Sequence, residues 1–300
     1  MACTKATANP PPLRINYRAH YPWASDELLA ECSTLTTGED VENHLGDPRV
    51  YKFNAFSSRH DSHIFVCQST PGEPVCMDDR SSGGRPFFFL YQTVFKRIGL
   101  RLPFSGFERE LLTEINVAPA QLHPNSWAFI RAFEILNGYL GLPPSVDIFL
   151  HFFEVKKQGK SLWVSFSRVA GRIILTVFQN SYEGWKGKFF RVCCTKHDLT
   201  ALDSFPLHLV KEPTLIKPKS LDEVPSTDRE VCVALAGMGV VFNTAELIAR
   251  EFDADALTQY FGRRIYTHTC LLYLCPLMFL LLLLYVLFIC SKLLCVAMCI

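Results

Sequence analysis

Apolar residues recur at helical spacing from residue 86 and change to alternation beyond residue 160, and this switch of period organises the chain. Pro86 suits a first helical position, Tyr91, Val94, Phe95 and Ile98 recur at helical spacing, and Gly99 supplies a left-handed stop, which predicts a first helix. Ser105 and Glu108 form an S-x-x-E capping box ahead of Phe107, Leu111 and Ile115, predicting a second helix that ends near Asn116. After Pro119 and Pro124, Asn125 or Ser126 caps a third helix. Its residues Trp127, Ile130, Phe133, Leu136 and Leu140 make a broad apolar face, and Gly141 ends it. Ser145 to Phe153, beyond Pro143 and Pro144, reads either as a short buried helix or as a strand.

Alternation then takes over. Leu162, Val164 and Phe166 alternate with polar neighbours, Ile173 to Phe178 is β-branched and apolar, and Gly171 lies at the turn between them. These predict paired strands, with Lys188 to Cys193 a third. Thr227 with Glu230, and Asn243 with Glu246, cap two later helices. The pattern is weakest before residue 86, where Pro10 to Pro12 run together and only Ser25 to Cys32 suggests a helix.

A second apolar feature closes the chain. Cys270 to Cys290 is 21 residues without a formal charge, includes the run Leu280 to Leu284, and matches the ~20 residues needed to cross a hydrocarbon core. Arg263 and Arg264 outnumber Lys292 across it, so the positive-inside rule puts the N-terminal domain in the cytosol, in a single-pass, tail-anchored topology. The alternative is a tail translated from beyond the true end of the gene, which leaves a nuclear or cytosolic protein.

The expected fold is therefore α+β, with a mainly helical central domain followed by a small antiparallel β-sheet, plus one C-terminal transmembrane helix. The expected divisions are a loosely ordered region 1–85, a domain of helices then strands at 86–193, a linker with C-terminal helices at 194–266, the transmembrane helix at 267–291 and a short tail at 292–300.

Composition sharpens this picture in two places. The net charge is +1, from 30 basic and 29 acidic residues, so any nucleic-acid surface must be local. Of the 12 cysteines, Cys270, Cys275, Cys290, Cys295 and Cys299 lie in or beside the apolar tail, and the others show no framework spacing. Reduced thiols in cytosol or nucleus follow.

The local surface lies between Glu154 and Lys196, where basic residues outnumber Glu154 and Glu183 and Trp163, Phe166, Tyr182, Trp185 and Phe189 are interleaved. The candidate nucleic-acid-binding set is Lys156, Lys157, Lys160, Arg168, Arg172, Trp185, Lys186, Lys188 and Arg191. Cations on phosphates and rings on bases are the means of holding a single strand. The competing reading puts the aromatics on a buried sheet face and the charges on a solvated one.

No motif carries catalysis. The chain has no G-x-S-x-G, H-E-x-x-H or G-x-x-x-x-G-K. Gly237 and Gly239 lack the third glycine of a dinucleotide turn and read as a helix end. Cys193, Cys194, His197 and His208 miss zinc-site spacing, and His60, Asp61 and His63, a candidate metal pair, read more simply as solvated side chains of a polar loop. Glu108, Asp147 and Glu154 are three acidic residues without a pattern. The expectation is a non-enzymatic interaction domain with no catalytic residue, cofactor or metal. Its partners are a membrane through the C-terminal helix, a protein, or nucleic acid; the enzymatic alternative is metal-dependent DNA processing.

One resemblance is specific in running text. The segments LPFS, APAQLHPNSWAF and FLHFF, followed by WVSFSR and FFRV, resemble the plant family of gypsy-type transposase domains found in retrotransposon-derived proteins. The likeness spans about Pro86 to Val192. It implies plant origin and descent from a long-terminal-repeat element, and it brings no catalytic residues. Such domains usually lead into long polar or coiled-coil regions, whereas this chain ends in an apolar segment.

Overall fold

A computed structural model describes residues 17–45, 64–78, 86–159, 162–194 and 204–266. Three short helices come first, α1 (Tyr17–His20), α2 (Asp26–Ala30) and α3 (Gly38–Leu45), followed by strands β1 (Ile64–Cys67) and β2 (Phe87–Tyr91). Helices α4 (Gln92–Lys96), α5 (Gly106–Glu114), α6 (Pro124–Leu140) and α7 (Val146–Phe152) form the middle. Strands β3 (Phe153–Lys157), β4 (Val164–Arg168) and β5 (Phe189–Cys194) precede α8 (Ser226–Gly237), α9 (Thr244–Arg250) and α10 (Ala254–Phe261).

The expectation of helices followed by a sheet is overturned. The fold is mixed α/β with two small antiparallel sheets, and the larger has the order β1-β5-β2. Two of its strands precede the helical stretch and the central one follows it, so the sheet closes around that stretch. In register, Val66 and Phe88 flank Val192 from either side. The physical reason lies in Phe87–Tyr91, five apolar residues that are all buried. A helix would point such a run outward on every side, whereas a strand covered on both faces buries all of it. The predicted first helix is thereby cut to α4.

The second sheet also departs from expectation. β4 pairs with β3, with Val155 opposite Phe166, rather than with Ile173–Phe178. That later segment contributes one bridge, Leu175 to Phe242. Ser145–Phe153 resolves into both of its readings, a helix capped by Ser145 that turns at Phe153 into β3.

The helix signals were mostly local and mostly realised. Ser105 Oγ accepts from the Glu108 amide at 3.0 Å and Glu108 Oε2 accepts from the Ser105 amide at 2.8 Å, completing the capping box of α5. Gly141, at φ 70°, ends α6 in the left-handed region. The cap of α6 is His123 rather than Asn125 or Ser126, because Pro124 takes the first helical position. Asn243 caps α9 as expected, while α8 starts after Pro225 without a side-chain cap.

Helix α6 is the axis of the core: Trp127 and Phe133 are fully buried, and the Trp127 indole donates to the Pro119 carbonyl at 3.2 Å. Its one buried cation, Arg131, pairs with Glu251 and lies 3.4 Å from Glu134, and Arg101 reaches the same Glu251 at 2.7 Å. Glu108, 3% exposed, lies beside this cluster, and burial together with the Glu134 charge pushes its carboxyl up to about 8.

The membrane helix expected at 267–291 lies outside the described residues. Among the described residues no helix is long and apolar enough to cross a membrane. Cys270, Leu280, Leu284 and Cys290 lie outside the described residues.

Candidate nucleic-acid interface

The predicted basic surface divides between the two sheets. On the smaller, Lys156 and Lys157 are exposed at the end of β3, with the Lys156 ammonium 2.7 Å from Glu154, and Arg168 is exposed at the end of β4. Arg172 is a structural pin: its Nη1 donates to the backbone carbonyls of Lys219 at 3.0 Å and His151 at 3.3 Å. Lys160 lies outside the described residues.

Around the larger sheet, two of the three cations are already committed. The Lys186 ammonium sits 4.0 Å from the centre of the Trp163 ring, between Glu27 at 3.3 Å and Glu31 at 3.8 Å. Arg191 places its Nε 2.9 Å from the fully buried Glu73 and its guanidinium 4.4 Å over the Phe87 ring. Lys188 is exposed and has no carboxylate partner among the described residues. The interleaved aromatics are mostly core: Trp163, Phe166, Trp185 and Phe189 are buried, and Tyr182 is the one partly exposed. Burial of the aromatic face, the plainer of the two readings of this stretch, holds for those four rings.

A cleft of about 470 Å³ nevertheless collects uncompensated positive charge next to them. One wall is α4 with the turn after it, bearing Gln92, Thr93, Lys96 and Arg97; the other is the loop leading into β5, bearing Gln179, Ser181, Tyr182, Glu183, Trp185 and Lys188. Lys96, Arg97 and Lys188 stand against the single carboxylate of Glu183, and none of the three is in an ion pair among the described residues. Two other clefts, of about 710 and 720 Å³, lack this bias. The larger sets Glu110, Glu114 and Asp147 against Arg109 and Lys219.

The cleft is built from the backbone outward. The chain passes from β2 directly into α4, and the Gln92 amide bonds to the Lys188 carbonyl at 2.8 Å, tying the two walls together at the base. Asn125, in the first turn of α6, grips the opposite loop: its Nδ2 donates to the Gln179 carbonyl at 2.8 Å, and its Oδ1 accepts from the Gln179 amide at 3.2 Å and from the Tyr182 hydroxyl at 3.0 Å. Arg97 Nη1 reaches Gln179 Oε1 at 2.6 Å across the gap. Beneath, the Trp185 ring packs edge-on against Tyr91, 4.5 Å between centres, and Trp163 donates to the Tyr91 hydroxyl at 3.0 Å.

His123 buttresses this wall. Its ring meets Tyr182 and Trp185 edge-on, at 5.6 and 5.5 Å, and its Nδ1 accepts from the Asn125 amide at 3.1 Å. Burial, with Lys186 adding to it, pushes its imidazole down to about 4, so the ring stays neutral and able to accept. Burial also raises the Tyr182 phenol, which stays protonated as the donor to Asn125.

Of the residues named from sequence, Lys188 and Trp185 fall in this cleft, and Trp185 serves as floor. Lys96, Arg97, Gln92, Thr93, Gln179 and Ser181 were missed. The adjacent pair Lys96-Arg97, just before Gly99, was the available signal, but it belonged to a helix whose partner loop lies more than eighty residues away.

The acidic residues form no comparable site. Glu108 is locked in its capping box, Asp147 pairs with Lys219 and Glu154 with Lys156. No group of three or more His, Cys, Asp or Glu among the described residues is placed to hold a metal ion. His208 packs edge-on against Phe87, while His197, His60, Asp61 and His63 lie outside the described residues.

The arrangement is that of an α/β domain whose clearest surface chemistry is cationic. Residues 90–157 match the family described as "Putative gypsy type transposon", which makes this segment a gypsy-type transposon-related domain. The match runs from the end of β2 to the end of β3, under a quarter of the chain, and takes in the α4 wall of the cleft but not the opposite loop. No curated protein and no solved structure matches the chain.

Proposed function

We propose that this retrotransposon-derived protein binds single-stranded nucleic acid in the cleft between α4 and the loop before β5. The observation that carries the reading is the set Lys96, Arg97 and Lys188, three cations without a carboxylate partner among the described residues, gathered on two walls of one cleft. Cations left unpaired in the fold release counterions when a phosphate backbone replaces the salt around them. The partly exposed Tyr182 ring, held by Asn125, offers a face for one base. Gln92 and Thr93 contribute uncharged polar groups at the base of the cleft.

Fluorescence anisotropy with short labelled single strands tests this. Three phosphates neutralised on a single strand give a slope of log affinity on log salt of about −2, so binding weakens about 20-fold between roughly 50 and 200 mM salt. The double variant Lys96→Ala/Lys188→Ala should lower that slope to about −0.7, the value for one remaining cation. No binding at low salt, or a slope unmoved by the double variant, overturns the proposal.

A further inference from the structure

Two sulfurs face each other on the larger sheet, away from the basic cleft. Cys67 ends β1, Cys193 lies in β5, and the Cys193 thiol points at the Cys67 sulfur at 3.5 Å. Cys67 stands opposite Arg191, so Cys193 is its diagonal neighbour two residues further along the same sheet face. Cys193 is buried and Cys67 half-buried.

The pair is held by contacts that do not depend on sulfur. Four ladder positions, Ile64–Cys67 against Arg191–Cys194, fix the register of β1 on β5. The turn after β1 is tied to the same strand twice more, by Ser69 Oγ donating to the Phe189 carbonyl at 3.2 Å and by the buried ion pair of Glu73 with Arg191. A one-residue slip of β1 would break all of these, so the approach of the two sulfurs is a fixed property of the sheet.

We propose that Cys67 and Cys193 are a disulfide-forming dithiol, oxidised by a small-molecule disulfide of the glutathione type. The thiolate of the more accessible Cys67 attacks one sulfur of oxidised glutathione, forming a mixed disulfide and expelling one glutathione thiolate. Cys193 gives up its proton, and its sulfur attacks Cys67 Sγ and expels the second glutathione. Two protein thiols and one oxidised glutathione thus become one protein disulfide and two reduced glutathiones, with both thiol protons ending on the leaving groups. The sulfurs need to close from 3.5 Å to about 2 Å to bond.

The bond would join residues 67 and 193, closing a loop that contains the family-matched segment 90–157 and every residue of the basic cleft. In a reducing compartment the pair stays as thiols, and it registers a change to a more oxidising one.

The test uses the full chain, purified reduced, incubated with oxidised glutathione, alkylated after denaturation and digested without reductant. The expected product is a peptide pair cross-linked between Cys67 and Cys193, while the buried Cys76 and Cys232 are recovered alkylated. In Cys67→Ser, a change at a half-buried position, Cys193 should be recovered alkylated. Recovery of Cys67 and Cys193 as unlinked thiols in the oxidised wild-type chain overturns the proposal. So does a cross-link from either residue to a different cysteine, the adjacent Cys194 above all.

Discussion

At the scale of single residues, two groups, the buried Glu108 and the half-buried His123, tie stability to pH in opposite directions. Glu108 keeps its proton in the folded chain up to about 8, whereas the unfolded chain loses it near the ordinary value of 4.5. Unfolding therefore releases a proton between those limits, and rising pH favours the unfolded state. In Glu108→Gln the amide oxygen still accepts from Ser105 but no proton is at stake, so the fall in Tm from about pH 5 to about pH 8 seen in the parent should flatten. His123 works the other way: it is neutral in the fold down to about 4 and takes up a proton on unfolding below 6.5. Acid therefore favours unfolding in that window, and falling pH removes stability that is fully present above 6.5. Asparagine is a strong cap without a titrating group, so His123→Asn should abolish this acid limb in a pH series of melts while α6 remains capped.

Residues also show what a charge count cannot tell. Lys186 and Lys188 are two positions apart and equivalent as text, yet one lies on the Trp163 ring between two glutamates and the other faces the cleft without a carboxylate partner. The glutamates are Glu27 and Glu31, far away in sequence, so nothing near Lys186 announces that its charge is spent. Lys186→Ala should lower stability by about 1 kcal/mol, measured by urea denaturation, with little change in the salt slope of oligonucleotide binding. Lys188→Ala should do the reverse.

At the scale of elements, what was legible is what is local. The S-x-x-E box at Ser105 needs only four residues to be recognised, and it forms as written. Ser105→Ala should cost about 1 kcal/mol in a denaturant melt, and more in this case because the hydroxyl also donates to Glu134 at 2.6 Å. Gly141 and Asn243 were equally plain. Phe87–Tyr91 was not, since a short run of apolar residues suits a buried strand and a buried helix alike, and only its partner decides. The partner is β5, whose own pattern of Phe189, Phe190 and Val192 says strand without saying which neighbours it takes. The pairing of β3 with β4 was missed for the same reason: the helix-or-strand reading stopped at Phe153, Glu154–Lys157 was given no element, and the partner of β4 was sought in the next apolar run.

At the scale of the whole molecule, the family-matched text and the three-dimensional unit do not coincide. The match at 90–157 begins within β2 and omits both β1 and β5, so it holds the helical core and part of one strand of a sheet completed elsewhere. The resemblance seen in sequence, over about Pro86 to Val192, agrees with the match at 90–157 and extends past it to β2 and β5, but running text could not foretell that those two strands pair. The cleft is divided in the same way, with one wall inside the match and one outside. Its chemistry was half visible: Lys188 and Trp185 stood in the basic stretch, whereas Lys96 and Arg97 stood outside it, in the predicted first helix.

The order of strands in the larger sheet also sets a timetable. On the ribosome β2 emerges some hundred residues before β5, the strand that separates it from β1. Until then the nascent chain carries Phe87, Phe88, Phe89, Leu90 and Tyr91 with no strand to pair with, an adhesive stretch of the kind that recruits chaperones.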